Sequence, residues 1–387
     1  MQATMGVILP VSERWQEVKV FADNWEPLHA FLQYTQNISI PLLRSIHLIR
    51  CNPYFAAPDQ VFIPSSARVF LPLLGASELE NLTTIELEGV HVDWTSPALR
   101  GLTKLSFGYH PKDVIPTLTQ FRDLLSSCPE LDSFVLAGWG PKIDNDSIST
   151  GVLQQFRASI MLPRLRNLEI GVMIPAYAAD VLSLLVIPSL ESLSIDDITR
   201  YDQQTIANHN FEPVFNFLSG QSSSLHSPSV STQSLSSLTV MNLDPGATSF
   251  HQFLQGLNSL HALQIRNCAH TTLQALAPSH LGAPCRHLSQ LSVEACDLSV
   301  LIDIISTRRA AGDIEMEVTF QQDANSIRNP ISPETQSHLT QLGIKVLPWC
   351  PNNDRQWRSY ETDDSEALVA AILEERWDVA GTVIQQQ

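Results

Sequence analysis

Apolar residues recur along this chain in one frame, an aliphatic position followed by others at offsets of three, five and eight. "NLTTIELEGV" places Leu82, Ile85, Leu87 and Val90 in that order, and "LLRSIHLIRC" places Leu43, Ile46, Leu48 and Cys51. The same frame appears as Leu102, Leu105, Phe107 and His110, and again as Leu131, Phe134, Leu136 and Trp139. Further copies are Leu165, Leu168, Ile170, Met173, then Leu190, Leu193, Ile195, Ile198, then Leu235, Leu238, Val240, Leu243. "LNSLHALQIRNC" and "CRHLSQLSVEAC" add Leu260, Leu263, Ile265, Cys268 and Leu288, Leu291, Val293, Cys296, which makes nine copies. Weaker ones stand at "RWQEVKVFAD" (Trp15, Val18, Val20) and "HLTQLGIKVL" (Leu339, Leu342, Ile344, Leu347).

The centre of the frame alternates apolar and polar, so it predicts a short strand with one buried face. Between frames the period changes to that of a helix. Ala178, Val181, Leu182 and Leu185 form one such stripe, and Phe211, Val214, Phe215 and Leu218 another. Phe250, Phe253, Leu254, Leu257 and Leu298, Leu301, Ile302, Ile305 repeat that spacing. "IPTLTQFRDLLSSCP" reads as a further helix, with Pro116 in its first turn and Pro129 ending it. Strand and helix in alternation predict parallel strands joined by right-handed crossovers. A unit that cannot bury its own apolar face must stack on its neighbours. The predicted fold is therefore α/β, an irregular leucine-rich-repeat solenoid with a curved parallel sheet and outer helices.

Spacing between frames runs from 20 (Leu82 to Leu102) to 45 (Leu190 to Leu235), so the longer intervals must hold extra turns or loops. The Ser-rich stretch at 219–234 reads as a loop inside a solenoid spanning 1–350, and Ser227-Pro228 within it reads as ordinary loop chemistry. Residues 351–387 form an acidic segment with a capping helix, in which Asp363 and Glu366 suit a capping box and Val369, Leu373 and Trp377 share a side.

The recurring thiols at Cys268 and Cys296 occupy the frame's last place, filled elsewhere by Val90, Ile198 or Leu243. They read as small core residues rather than reactive groups. The other cysteines are Cys51, Cys128, Cys285 and Cys350, and none forms a CxxC pair. Cys268, His270, His280, Cys285 and His287 are residue types that suit zinc, but their spacing matches no compact zinc signature, so no metal is expected. His91 and His110 read as surface or frame positions.

Charge narrows the partners. Lys and Arg total 23 against 40 Asp and Glu, a formal charge of −17, which argues against nucleic acid and against an anionic membrane surface. No stretch approaches the roughly 18 apolar residues that cross a bilayer, and the start does not read as a signal peptide. With free thiols expected, the chain reads as intracellular, in cytoplasm or nucleus. No nucleophile elbow, phosphate loop, HExxH or complete GxGxxG occurs, so neither an enzyme nor a cofactor is expected.

The steps "LPRLRNLEI", "IPSLESLSI" and "CPELDSFVL", with "LSVLIDIISTRRAAG", resemble the F-box/leucine-rich-repeat-like proteins abundant in mushroom-forming fungi, over about residues 12–347. The resemblance implies an F-box that docks on a Skp1-type adaptor, and repeats that present a target for ubiquitin transfer. The family's Arg-Trp pair follows its F-box and is similar to Arg14-Trp15 in "SERWQEVKV". Adaptor binding is therefore expected only if an F-box lies upstream, the chain being truncated or having lost it.

The expected function is protein binding, as the substrate-recognition part of an SCF-type ubiquitin ligase receptor. The alternative is a free-standing structural or regulatory scaffold. The expected contact positions flank the frame on a concave face: His47, Glu86, Lys104, Ser106, Val135, Glu169, Ser194, Thr239, Gln264, Arg266, Ser292 and Glu294. Trp15 reads as a core residue of the first strand rather than a contact.

Overall fold

Every complete copy of the frame becomes a strand. The structure is a computed structural model that describes residues 2–51, 61–62, 65, 68–75, 79–143, 151–172, 174–201, 210–220, 230–278, 283–312, 316–322 and 331–348. Its described residues divide into two compact units, one holding those up to 172 together with 181–188, the other those of 174–180 and 189–348.

The first unit carries β1 (Glu17–Ala22), β2 (Ser45–Arg50), β3 (Thr84–Glu88), β4 (Lys104–Gly108), β5 (Ser133–Ala137) and β7 (Asn167–Val172). They pair in parallel in chain order, apart from a two-residue β6 (Ile160–Met161) that leaves the row to pair with β8 (Leu185–Val186). The second unit carries β9 (Ser192–Asp197), β10 (Ser237–Met241), β11 (Ala262–Arg266), β12 (Gln290–Glu294), β13 (Glu317–Gln321) and β14 (Ile344–Leu347), again parallel and sequential. The fold is α/β with parallel strands, as the alternation predicts.

The frame residues are the core. Leu43, Ile46, Leu48, Leu102, Leu105, Leu238, Val240, Leu263 and Ile265 are all within a few per cent of full burial. The helical stripes pack in the same layer. Phe250 and Phe253 of helix Ala247–Gly256 meet Phe215 of helix Glu212–Leu218, at ring distances of 4.8 and 5.4 Å. Helix Leu118–Ser126 leaves Pro116 outside its first turn and starts two residues after it. Thr117 caps it, accepting from the Gln120 amide while the Gln120 side chain accepts from the Thr117 amide. Leu185, expected at the end of a helical stripe, instead opens β8.

Two backbone devices recur. At the starts of β2–β5, β7 and β10–β12, one carbonyl of an earlier repeat accepts two successive amides: Gln16 O from Arg44 and Ser45, Arg44 O from Thr83 and Thr84, Ser236 O from His261 and Ala262. At strand ends a residue with positive φ turns the chain outward, as at Gly89, Tyr109, Gly138, Asn242, Asn267 and Ala295. The turn keeps the ladder intact, because Gly89 N still donates to Gly108 O and Asn242 N to Arg266 O. Glycine and asparagine tolerate this left-handed region better than other residues.

The thiols behave as packing groups at Cys128, Cys268 and Cys285, which are buried, and Cys296 is half-buried. Cys51 differs: it holds the same frame place but is exposed. His91 is not a surface residue. It is buried, stacked on Trp25 at 4.4 Å and edge-on to Phe62. Trp15 is buried at the entry to β1. His280, Cys350, residues 221–229 of the Ser-rich loop and the whole segment 351–387 lie outside the described residues.

Candidate strand-face interface

Alternation along each strand places residues i, i+2 and i+4 on the face opposite the core, and the parallel register lines them up across strands about 4.8 Å apart. Three rows result in each unit. In the first unit the second row is Lys19, His47, Glu86, Ser106, Val135 and Glu169. In the second unit it is Ser194, Thr239, Gln264, Ser292, Thr319 and Lys345. Nine of the twelve residues expected at contact positions fall in these two rows.

The remaining three do not. Lys104 belongs to the first row, with Glu17, Ser45, Thr84, Ser133 and Asn167, and is exposed. Arg266 and Glu294 belong to the third row of the second unit, between Met241 and Gln321.

Accessibility falls from the first row to the third. Lys104, Asn167, Gln290 and Glu317 in the first rows are exposed, the second rows are mostly half-buried, and Asp196, Met241, Glu294 and Gln321 in the third are buried. Turn residues close over that end of the second unit. Asn242 Nδ2 donates to Asp196 Oδ1 at 2.7 Å, and Asn267 Nδ2 donates to Asn242 Oδ1 at 2.7 Å.

Two expectations are therefore corrected. Glu294, expected as an exposed anchor, is 5% exposed, and its Oε1 faces Arg266 Nε at 3.5 Å. Glu86 is 8% exposed because His47 Nδ1 sits 2.6 Å from its Oε2. Strand alternation assigns a face, but it does not reveal what neighbouring side chains cover on that face.

The two second rows differ in chemistry. In the first unit, β1–β3 form a charged network around Glu17 Oε1. It meets Lys19 Nζ at 3.4 Å and His47 Nε2 at 3.5 Å, and it accepts from Ser45 Oγ at 3.3 Å. Glu88 lies two residues beyond Glu86 on the same face. Burial, and then repulsion from Glu86, push its carboxyl up to about 8, so it holds its proton at neutral pH. In the second unit, rows one and two over β9–β12 contain Ser192, Ser194, Ser237, Thr239, Ala262, Gln264, Gln290 and Ser292, with no ionisable group. These short hydroxyls and amides can both donate and accept, the equipment for reading another polar surface.

The chemistry open to the thiols is limited. Burial raises Cys285 to about 12 and Cys296 to about 11, so both stay protonated and poorly nucleophilic. Their hydrogens go to carbonyls, Cys285 to Leu254 and Cys296 to Glu294. Cys268 donates to the Arg266 and Val240 carbonyls rather than joining His270 in a ligand set. Among the described residues, no group of three or more His, Cys, Asp or Glu is arranged to hold a metal ion. Among the same residues, no helix is long and apolar enough to cross a membrane.

Sequence reading overlooked β13, whose Val318 and Phe320 alternate correctly but lack the leucines of the frame. It also overlooked the asparagines that precede the frame's last place, Asn242 and Asn267. Their recurrence in "TVMNL" and "QIRNC" was the available signal. No protein-family model matches the chain, and the comparison with curated proteins finds no match.

Proposed function

We propose that the chain is a protein-binding leucine-rich-repeat module that grips its partner through the first and second rows of its strand faces. The observation that carries this reading is the uncharged, half-buried double row over β9–β12. It presents donors and acceptors in register on a rigid scaffold, at low entropic cost. A few anchors would carry most of the energy. Gln264 and Ser292, adjacent in register on β11 and β12, are the first candidates.

The ubiquitin-ligase setting rests on the resemblance of the repeats to F-box/leucine-rich-repeat-like proteins, and in it the chain supplies target recognition. Two experiments separate the parts. Affinity capture followed by identification, with Gln264→Arg and Ser292→Arg as disabling variants, tests the face; capture unchanged in both variants refutes it. Pull-down with a purified Skp1-type adaptor tests the ligase setting, and its failure leaves a scaffold that binds proteins without ubiquitin transfer.

A further inference from the structure

Strand β1 ends the row of the first unit: it pairs with β2, and among the described residues no strand pairs with its other edge. The direction of each backbone group follows from its neighbours. Gln16 O accepts from Arg44 and Ser45, and Ala22 O accepts from Cys51, so the even-numbered residues of β1 address β2. In a parallel ladder both backbone groups of a residue point the same way. The amides and carbonyls of Glu17 and Lys19 therefore point to the edge away from β2.

The charge on Lys19, of the kind that guards natural edges, has Glu17 beside it on the same face of β1. Its six residues, "EVKVFA", contain no proline or glycine, and burial alternates regularly along them. Natural edge strands carry lysines, prolines, bulges or inward charges against pairing with another chain; β1 has the lysine alone, and an acid that can offset it in a partner.

We propose that β1 pairs antiparallel with β1 of a second copy of this chain, with Val18 meeting Val18 on the two-fold axis, Glu17 of each copy opposite Lys19 of the other. The sequence selects this register. Directly opposed residues in an antiparallel pair lie on the same face, and opposite charges there attract while like charges repel. Shifting the pair by two residues one way sets Lys19 against Lys19, and two the other way sets Glu17 against Glu17. In the chosen register, Glu17 and Lys19 are also the residues whose amides and carbonyls face outward, so they form the hydrogen-bonded pairs, about four bonds in all.

Both side chains are within reach of solvent, at 25% and 32% exposed, and lie on one face of β1, 3.4 Å apart. The edge at β14 lacks this pattern, since Lys345 stands at the centre of a four-residue strand with no acid beside it. An isologous interface of this kind closes after two copies.

The test is mass measurement by light scattering over a concentration series up to about 100 μM, a range that suits a small interface. The expected mass rises from 42.9 kDa toward twice that value. Glu17→Lys alone and Lys19→Glu alone set like charges against each other, and each should weaken dimerisation at least tenfold. Mixing the two variants restores both attractive pairs, so the mixture should form a heterodimer, and the doubly swapped chain should dimerise like the parent. Circular dichroism checks the fold of each variant; if a single variant does not fold, the doubly swapped chain carries the test. A chain that stays monomeric throughout overturns the proposal. A dimer indifferent to the single changes, or a mixture that stays monomeric, overturns it equally.

Discussion

Arg266 and Glu294 face each other across β11 and β12, Nε to Oε1 3.5 Å, with side chains only 11% and 6% exposed. A pair so far out of water resists the loss of either member, because the survivor is left as an uncompensated charge. Arg266→Met or Glu294→Gln alone should lower stability by about 3 kcal/mol, whereas Arg266→Met with Glu294→Leu should recover much of it. Urea unfolding of the three variants measures the difference. If these residues were partner contacts instead, the single changes would leave the unfolding midpoint where it is.

Glu88 makes stability depend on pH in the alkaline direction. Its folded-state value of about 8 lies above its ordinary 4.5, so between these values the unfolded chain releases a proton that the folded chain keeps. Stability contributed by the neutral carboxyl is complete below 4.5 and is lost as pH rises through 8. Glu88→Gln should therefore raise Tm at pH 9 and change little at pH 4. The gain scales at about 2–4 °C per kcal/mol. Thermal scans at the two pH values decide it.

His110 acts in the opposite direction. It is buried at the frame's last place, its Nε2–H donating to the Val90 carbonyl at 3.0 Å, and burial lowers its value from 6.5 to about 4. Its stabilising contribution is present above 6.5 and is lost as pH falls through 4. His110→Val, the type found at Val90, gives up one hydrogen bond and should cost about 1 kcal/mol at pH 7. It should also flatten the decline between pH 6.5 and 4, as read by denaturant titrations across that range.

Gly108 and Ala137 are cross-strand neighbours in the third row of the first unit. A Cβ added at Gly108 would lie 2.9 Å from the Ala137 Cβ, too close to stand without a backbone shift. Gly108→Ala should cost about 1–3 kcal/mol. Combining it with Ala137→Gly should return part of that cost, and a double-mutant cycle isolates the shared term.

The strands were legible because their signal is local. Nine frames gave nine strands, and the phenylalanines at 211, 215, 250 and 253 marked the helix side of the second unit. β13 escaped because alternation without leucines, as in Val318 and Phe320, resembles many short apolar runs. The rows were partly legible. Position beside the frame located Ser194, Thr239, Gln264 and Ser292 correctly on one row. Burial of Glu86 and Glu294 was not legible, because it depends on His47 and Arg266 reaching across from neighbouring strands. Cys51 shows the same limit in reverse, occupying a frame place yet exposed.

The doubled amide at the starts of β2–β5, β7 and β10–β12 also bears on how such a chain can lengthen. Since Thr83 and Thr84 both seat on Arg44 O, as Ser236 and Ser237 do on Glu191 O, each of these repeats takes its phase from a fixed point on its predecessor. Whatever is spliced between two such points is a detour that returns to the same address. Intervals of 20 and 45 residues therefore end in identical pairing. A foreign peptide grafted into the longer one should leave the flanking strands undisturbed.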